Sequence, residues 1–137
     1  MGTWSCESFG NDSACDWAYD LEEGPRDFSF VEETLRRAAD QDPSDLDADA
    51  AVEAIAAAET IAKALGRGTR TDAYTERVDQ WVAALTVRPD ESLIATARQA
   101  LERIVAPGSE LRELWEESDE FEEWLGIVGR LRSALET

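Results

Sequence analysis

The chain has no histidine, a single lysine and two cysteines among its 137 residues. Without an imidazole it cannot form a Ser-His-Asp or Cys-His nucleophile, a histidine general base or a zinc site of the Cys/His type. An enzyme built on this chain would have to use carboxylates alone, or Lys63. We therefore predict no catalytic residue, no metal site and no cofactor.

Cysteines and long apolar runs are equally scarce. Cys6 and Cys15 are too few for a disulfide framework and too far apart for a CxxC motif. No stretch approaches the roughly 20 apolar residues that span a bilayer, and residues 1–9 lack the basic start and apolar run of a signal peptide. We expect a cytoplasmic protein with reduced thiols and no membrane association.

Basic residues are few, with 13 against 31 acids, so the formal net charge is −18. Direct nucleic-acid binding is disfavoured, because counterion release requires a basic face. The same charge would attract a basic protein partner. Its alternative explanation is solubility, since net charge alone does not specify a partner.

Apolar residues recur at helical spacing and nowhere alternate as in a strand. Ala14, Trp17, Ala18 and Leu21, for example, lie at i, i+3, i+4 and i+7. The pattern predicts an all-α protein with six to seven amphipathic helices, stacked as antiparallel helical hairpins in one domain over residues 1–137. Helix starts are predicted at residues 11–13, Ser29, Asp47 or Asp49, about Asp72, Asp90, Ser109 and Ser118, with stops at Gly24, Pro43, Gly66 and Pro107.

Residues 110–123 hold eight acids and one base, Arg112. On one continuous helix several acids would form unfavourable i, i+4 pairs. A break at Ser118 would relieve them by placing Asp119 and Glu120 in the first turn of the next helix. The alternative is an acidic face retained for a basic partner. The candidate partner-binding residues are Glu113, Glu116, Glu117, Asp119, Glu120, Glu122 and Glu123.

Two further segments have ordinary explanations. The run Gly66–Arg70 is glycine-rich and basic, but it lacks the order of a phosphate-binding loop and is better explained as a helix cap and turn. Residues 40–59 hold seven acids and no base. Their spacing does not match a calcium loop, so capping and solubility account for most of them.

The N-terminus carries a specific motif: Met1-Gly2-Thr3-Trp4, then Phe9 to Ala14, Asp16-Trp17 and Asp20-Leu21-Glu22. It resembles the bacterial family called domain of unknown function 4259, whose members start with Met-Gly-x-Trp and continue through Phe-x-Asn-Asp. The stretch Ser109–Glu117 also looks like the family's C-terminal portion. Ser5 and Glu7 stand where many members have glycine, and Ser8 where they have proline.

This resemblance implies no activity, but it implies an ordered N-terminal segment packed on the body of the protein. The motif residues are Trp4, Phe9, Asn11, Asp12, Asp16 and Trp17. We expect the aromatic members to anchor the segment and the polar members to cap and crosslink it. The functional alternative is a polar-lined N-terminal pocket.

The hypothesis that best fits the charge is a non-catalytic binding protein, an immunity-like inhibitor or DNA-mimicking adaptor that masks a basic protein surface. A generic structural or housekeeping module, acidic only for solubility, is the alternative. A carboxylate-based, metal-dependent enzyme that uses Asn11, Asp12 and Asp16 ranks below both.

Overall fold

The structure is a computed structural model that describes residues 12–24, 27–67 and 76–136, without the side chains of residues 12–15, 76 and 77. Within these ranges the protein is all helical and contains no strand, as predicted. The helices are α1 (Asp12–Glu23), α2 (Ser29–Ala39), α3 (Ala48–Ala64), α4 (Glu76–Ala83), α5 (Glu91–Val105), α6 (Glu110–Glu116) and α7 (Phe121–Ala134), with a 3-10 turn at Pro43–Asp45.

The alanine-rich helix α3 lies at the centre and contacts all six other helices. The sequence predicts one apolar stripe on this helix, from Val52 to Leu65. The structure instead buries α3 on nearly every side, including Ala51, Ala54 and Ala57. Alanine permits this arrangement, because a side chain of one methyl group lets neighbouring helices approach on all faces.

Helices α2 and α5 complete the centre, since each packs on α3 and on the other. The apolar spacing in α2 predicts that Val31, Leu35 and Ala38 face inward, and all three are fully buried. So are Ala97, Leu101 and Ile104 of α5. Helices α1 and α4 pack on α3 and on each other, while α6 and α7 contact both α3 and α5.

Local capping explains several helix ends. Asp47 Oδ1 accepts a hydrogen bond from the Ala50 amide at 2.7 Å and begins α3, and Asp90 Oδ1 does the same from Leu93 at 2.8 Å for α5. Gly66 follows α3 with a φ of 77°, a left-handed conformation that glycine adopts without steric cost. These starts and this stop agree with the sequence prediction.

Ser29 and Glu32 have the spacing of a capping box, which predicts that Ser29 is the N-cap of α2, and this prediction is wrong. Ser29 is the first residue of α2, and Phe28 is the N-cap residue. No side chain caps this helix start. Instead the Ser29 amide and hydroxyl both donate to Asp27 Oδ1, at 3.0 and 2.6 Å. These two bonds lower the pKa of the Asp27 carboxyl. The nearby carboxylate is a stronger acceptor than the hydroxyl, so it directs the turn.

No helix in the part of the chain that the structure describes is long and apolar enough to cross a membrane.

The central position of α3 generates a stability prediction. Replacing the fully buried Ala57 by leucine forces three further carbon atoms into a packed interface, so Ala57→Leu should lower the free energy of unfolding by about 1–3 kcal/mol. The matched control is Ala95→Leu on the exposed face of α5, expected within about 0.5 kcal/mol of the parent. Urea unfolding followed by circular dichroism measures both. Equal effects at the two positions would contradict a central α3.

Candidate functional site: the acidic corner

The seven candidate partner-binding acids lie on α6, on the turn that follows it and at the start of α7. All seven are exposed. We call this set, Glu113, Glu116, Glu117, Asp119, Glu120, Glu122 and Glu123, the acidic corner. The predicted break between two helices is present. Asp119 and Glu120 were expected in the first turn of the second helix, but they lie in the connecting turn. Glu122 and Glu123 occupy the first turn of α7, where the helix dipole favours negative charge.

Ser118 shapes this turn. Its hydroxyl donates to the carbonyl of Trp115 at 2.8 Å and accepts from the amide of Glu120 at 3.2 Å. The Ser118 amide also donates to the Trp115 carbonyl, at 2.9 Å. The Ser118 side chain therefore bonds to both the end of α6 and the turn before α7. The acids of α6 and those of α7 consequently lie on either side of one short turn.

Aromatic rings support the corner from beneath. Trp115 of α6 stacks on Trp124 of α7 with ring centroids 6.2 Å apart, and Phe121 stacks on the same Trp124 at 6.2 Å. Both tryptophans are buried. Such aromatic pairs stabilise a structure beyond the effect of the area that they bury. The stacked rings therefore help to hold together the ends of α6 and α7 that carry the carboxylates.

Arg112, the one base among these acids, holds three elements together. Its guanidinium donates to the carbonyl of Val105 at the end of α5 and to Glu116 Oε1 at 3.3 Å. The guanidinium carbon also lies 5.3 Å from the centroid of the Phe121 ring, a cation–π contact. The one positive charge of residues 110–123 therefore contacts groups of α5, α6 and α7.

The eighth acid of the segment, Glu110, has a different role. Its Oε1 accepts a hydrogen bond from the Ala48 amide, the first amide of α3, at 2.9 Å. A carboxylate at a helix N-terminus stabilises the unpaired amides there. Glu110 therefore ties α6 to the start of the central helix, across 62 residues of chain. No local pattern in the sequence predicts this contact.

Leu114 is the apolar exception on the corner. The sequence predicts it to face inward with Leu111 and Trp115, but 45% of its surface is exposed. Leu111 and Trp115 do lie in the core. A seven-residue helix buries only one narrow stripe, and Leu114 lies outside it.

The N-terminal motif is only partly within the described residues. Trp4, Phe9 and Asn11 lie outside them, and of Asp12 only the backbone, in the first turn of α1, is described. Asp16 is exposed on α1. The expectations of an N-terminal pocket and of crosslinks by Asn11, Asp12 and Asp16 stay predictions.

Trp17 is the motif residue whose surroundings are clear. It is buried, its indole N–H donates to Thr34 Oγ1 at 2.9 Å, and its ring stacks on Phe30 at 5.4 Å. The Thr34 hydroxyl in turn donates to the Phe30 carbonyl at 3.0 Å. Trp17 thus links α1 to α2 with both an apolar and a polar contact.

The first acidic segment, residues 40–59, divides by environment. Asp40, Asp42, Asp45 and Asp49 are exposed, whereas Glu59 of α3 is fully buried. No group of three or more acids or cysteines within the described ranges is arranged to hold a metal ion. Capping and surface placement are the roles seen for the aspartates.

Glu53 of α3 is the acid of this segment whose ionisation is perturbed. Desolvation by burial raises the pKa of its carboxyl, against the opposing effect of Arg37, whose guanidinium lies 3.4 Å away. Asp49, Asp47 and Asp20 add to the increase by repulsion. Ionised Glu53 is therefore less stable in the folded protein than in the unfolded chain.

The structure also shows a partly buried ion pair that sequence reasoning missed. Lys63 Nζ of α3 lies 2.8 Å from Asp79 Oδ1 of α4, and the Lys63 side chain is only 5% exposed. Glu59 precedes Lys63 by one helical turn. The one available clue was the presence of a single lysine on an otherwise apolar, alanine-rich helix.

The glycine-rich segment ends in a structural contact where it is described. The Arg67 guanidinium donates to the backbone carbonyls of Ala134 and Glu136, at 3.4 and 2.8 Å. A cation at this position compensates the C-terminal end of the α7 dipole. Gly68 to Arg70 lie outside the described residues.

These features define an all-α protein with an exposed acidic corner. A family model for a domain of unknown function, DUF4259, matches residues 2–126. The chain therefore belongs to this family, as the N-terminal motif indicates. No curated protein and no solved structure matches the chain.

The support beneath the corner is testable at Arg112. Because Arg112→Ala removes a hydrogen bond to Val105, an ion pair and a cation–π contact, it should lower the free energy of unfolding by about 1–3 kcal/mol. Arg112→Lys should lose most of the same stability, since an ammonium lacks the planar fork. Chemical denaturation measures both. The control, Arg36→Ala at an exposed pair, should change stability by less than about 0.5 kcal/mol; an equal loss there would contradict the assignment.

The raised pKa of Glu53 predicts a pH-dependent gain in stability. In Glu53→Gln the side chain resembles the protonated acid, so the variant should be more stable than the parent at pH 7. The gain should shrink as the pH falls through the raised pKa and vanish below the ordinary value of 4.5, where both states bind the proton. Thermal unfolding between pH 3.5 and 7.5 measures it. Glu33→Gln, which alters a more exposed partner of the same Arg37, should show no such gain.

Proposed function

We propose that the protein is a non-catalytic binding protein that masks a basic surface on a partner protein, as an immunity-like inhibitor or adaptor does, and that the acidic corner is its contact surface. The observation that carries the proposal is the exposure of all seven carboxylates of the corner. Among the described residues, Glu116 alone of the seven forms an ion pair, with Arg112 at 3.3 Å.

The arrangement suits electrostatic recognition. Exposed like charges on the turn and on the two helix ends that flank it create a local potential that steers a cationic partner and raises its association rate. The stacked rings of Trp115, Phe121 and Trp124 hold the turn in place. A contact surface that is already ordered loses less conformational entropy on binding.

Leu114 supports the same proposal. It is exposed on α6 between Glu113 and Glu117. Protein interfaces commonly combine an apolar centre with a polar rim. The partner expected is therefore a protein with arginine or lysine side chains around an apolar contact. We place this interaction in the cytoplasm, where the two cysteines would stay reduced.

The alternative is a structural or housekeeping module whose acidity serves solubility. Its support is that exposed acids also lie far from the corner in sequence, at Asp16, Asp20, Asp40 and Asp42. A general acidic surface of that kind keeps a protein soluble without any specific contact.

Two variants with equal loss of charge separate these functions. The corner variant carries Glu117→Gln, Glu120→Gln, Glu122→Gln and Glu123→Gln. The distal variant carries four substitutions at exposed aspartates: Asp20→Asn, Asp40→Asn, Asp42→Asn and Asp45→Asn. The parent and both variants are used as bait in host lysate. Each captured protein is then purified and titrated against all three baits by calorimetry at 50 and 300 mM salt. We expect the corner variant to bind its partner at least about tenfold more weakly, the distal variant to match the parent, and parental binding to weaken with salt.

Poly-lysine serves as the probe of nonspecific attraction, and the loss of binding in the corner variant should be larger for the captured partner than for poly-lysine, which offers no apolar contact to Leu114. Equal loss of partner binding in the two variants, or binding indifferent to salt, would contradict the proposal. Growth of a host that carries the corner variant tests the alternative, since a module acidic only for solubility should function unchanged.

A further inference from the structure

We draw no further inference here: the strongest candidate, the open groove between α5 and the end of α7 that is lined by Arg98, Glu102, Arg132 and Glu136, carries nothing, because among the described residues its two acids balance its two bases, Arg132 is already paired with Glu102 at 3.0 Å, and nothing in the structure shows what covers it.

Discussion

The requirement to bury the alanine-rich helix α3 on nearly every side organises this protein. Each alanine of α3 removes little apolar surface from water, so the helix gains stability only if its neighbours approach closely enough for dense van der Waals contact. Every other helix contributes to that enclosure. The large side chains come from the surrounding layer, in which Trp17, Trp81, Trp115 and Trp124 are buried. The small alanines of α3 and the large tryptophans around it therefore fill the same core together.

The charges of the chain divide into those that hold this arrangement and those that face solvent. At helix starts, backbone amides donate hydrogen bonds to the carboxylates of Asp47, Asp90 and Glu110. At helix ends, backbone carbonyls accept hydrogen bonds from the guanidinium groups of Arg67 and Arg112. In each case the ionic group satisfies polar atoms that a helix terminus leaves unpaired. The acids of the corner have no such task among the described residues. Their concentration around the turn between α6 and α7, where aromatic rings stack, is the basis of the proposed role in recognition.

Local patterns predicted what depends on neighbours along the chain. The start of α3 at Asp47, one of the two aspartates predicted, the cap at Ser109, the helix stop at Gly66 and the inward face of α2 all follow from residues within one or two turns of each other. The prediction failed where local rules competed. At Ser29 a preceding aspartate captured the hydroxyl that a capping box requires. At Leu114 a short helix had more apolar residues than its one buried stripe holds.

The helical class, most helix ends and the dense acidic segment can be read from the amino-acid sequence, because apolar spacing, caps and charge are properties of neighbouring residues. The family can be read from it too, through the N-terminal motif and the match over residues 2–126. The packing of the helices was needed to show that α3 is central, that Glu110 caps it from 62 residues away and that the Lys63 side chain is buried beside Asp79. Those outcomes depend on which helices meet, and contacts between distant segments leave no periodic trace in one sequence.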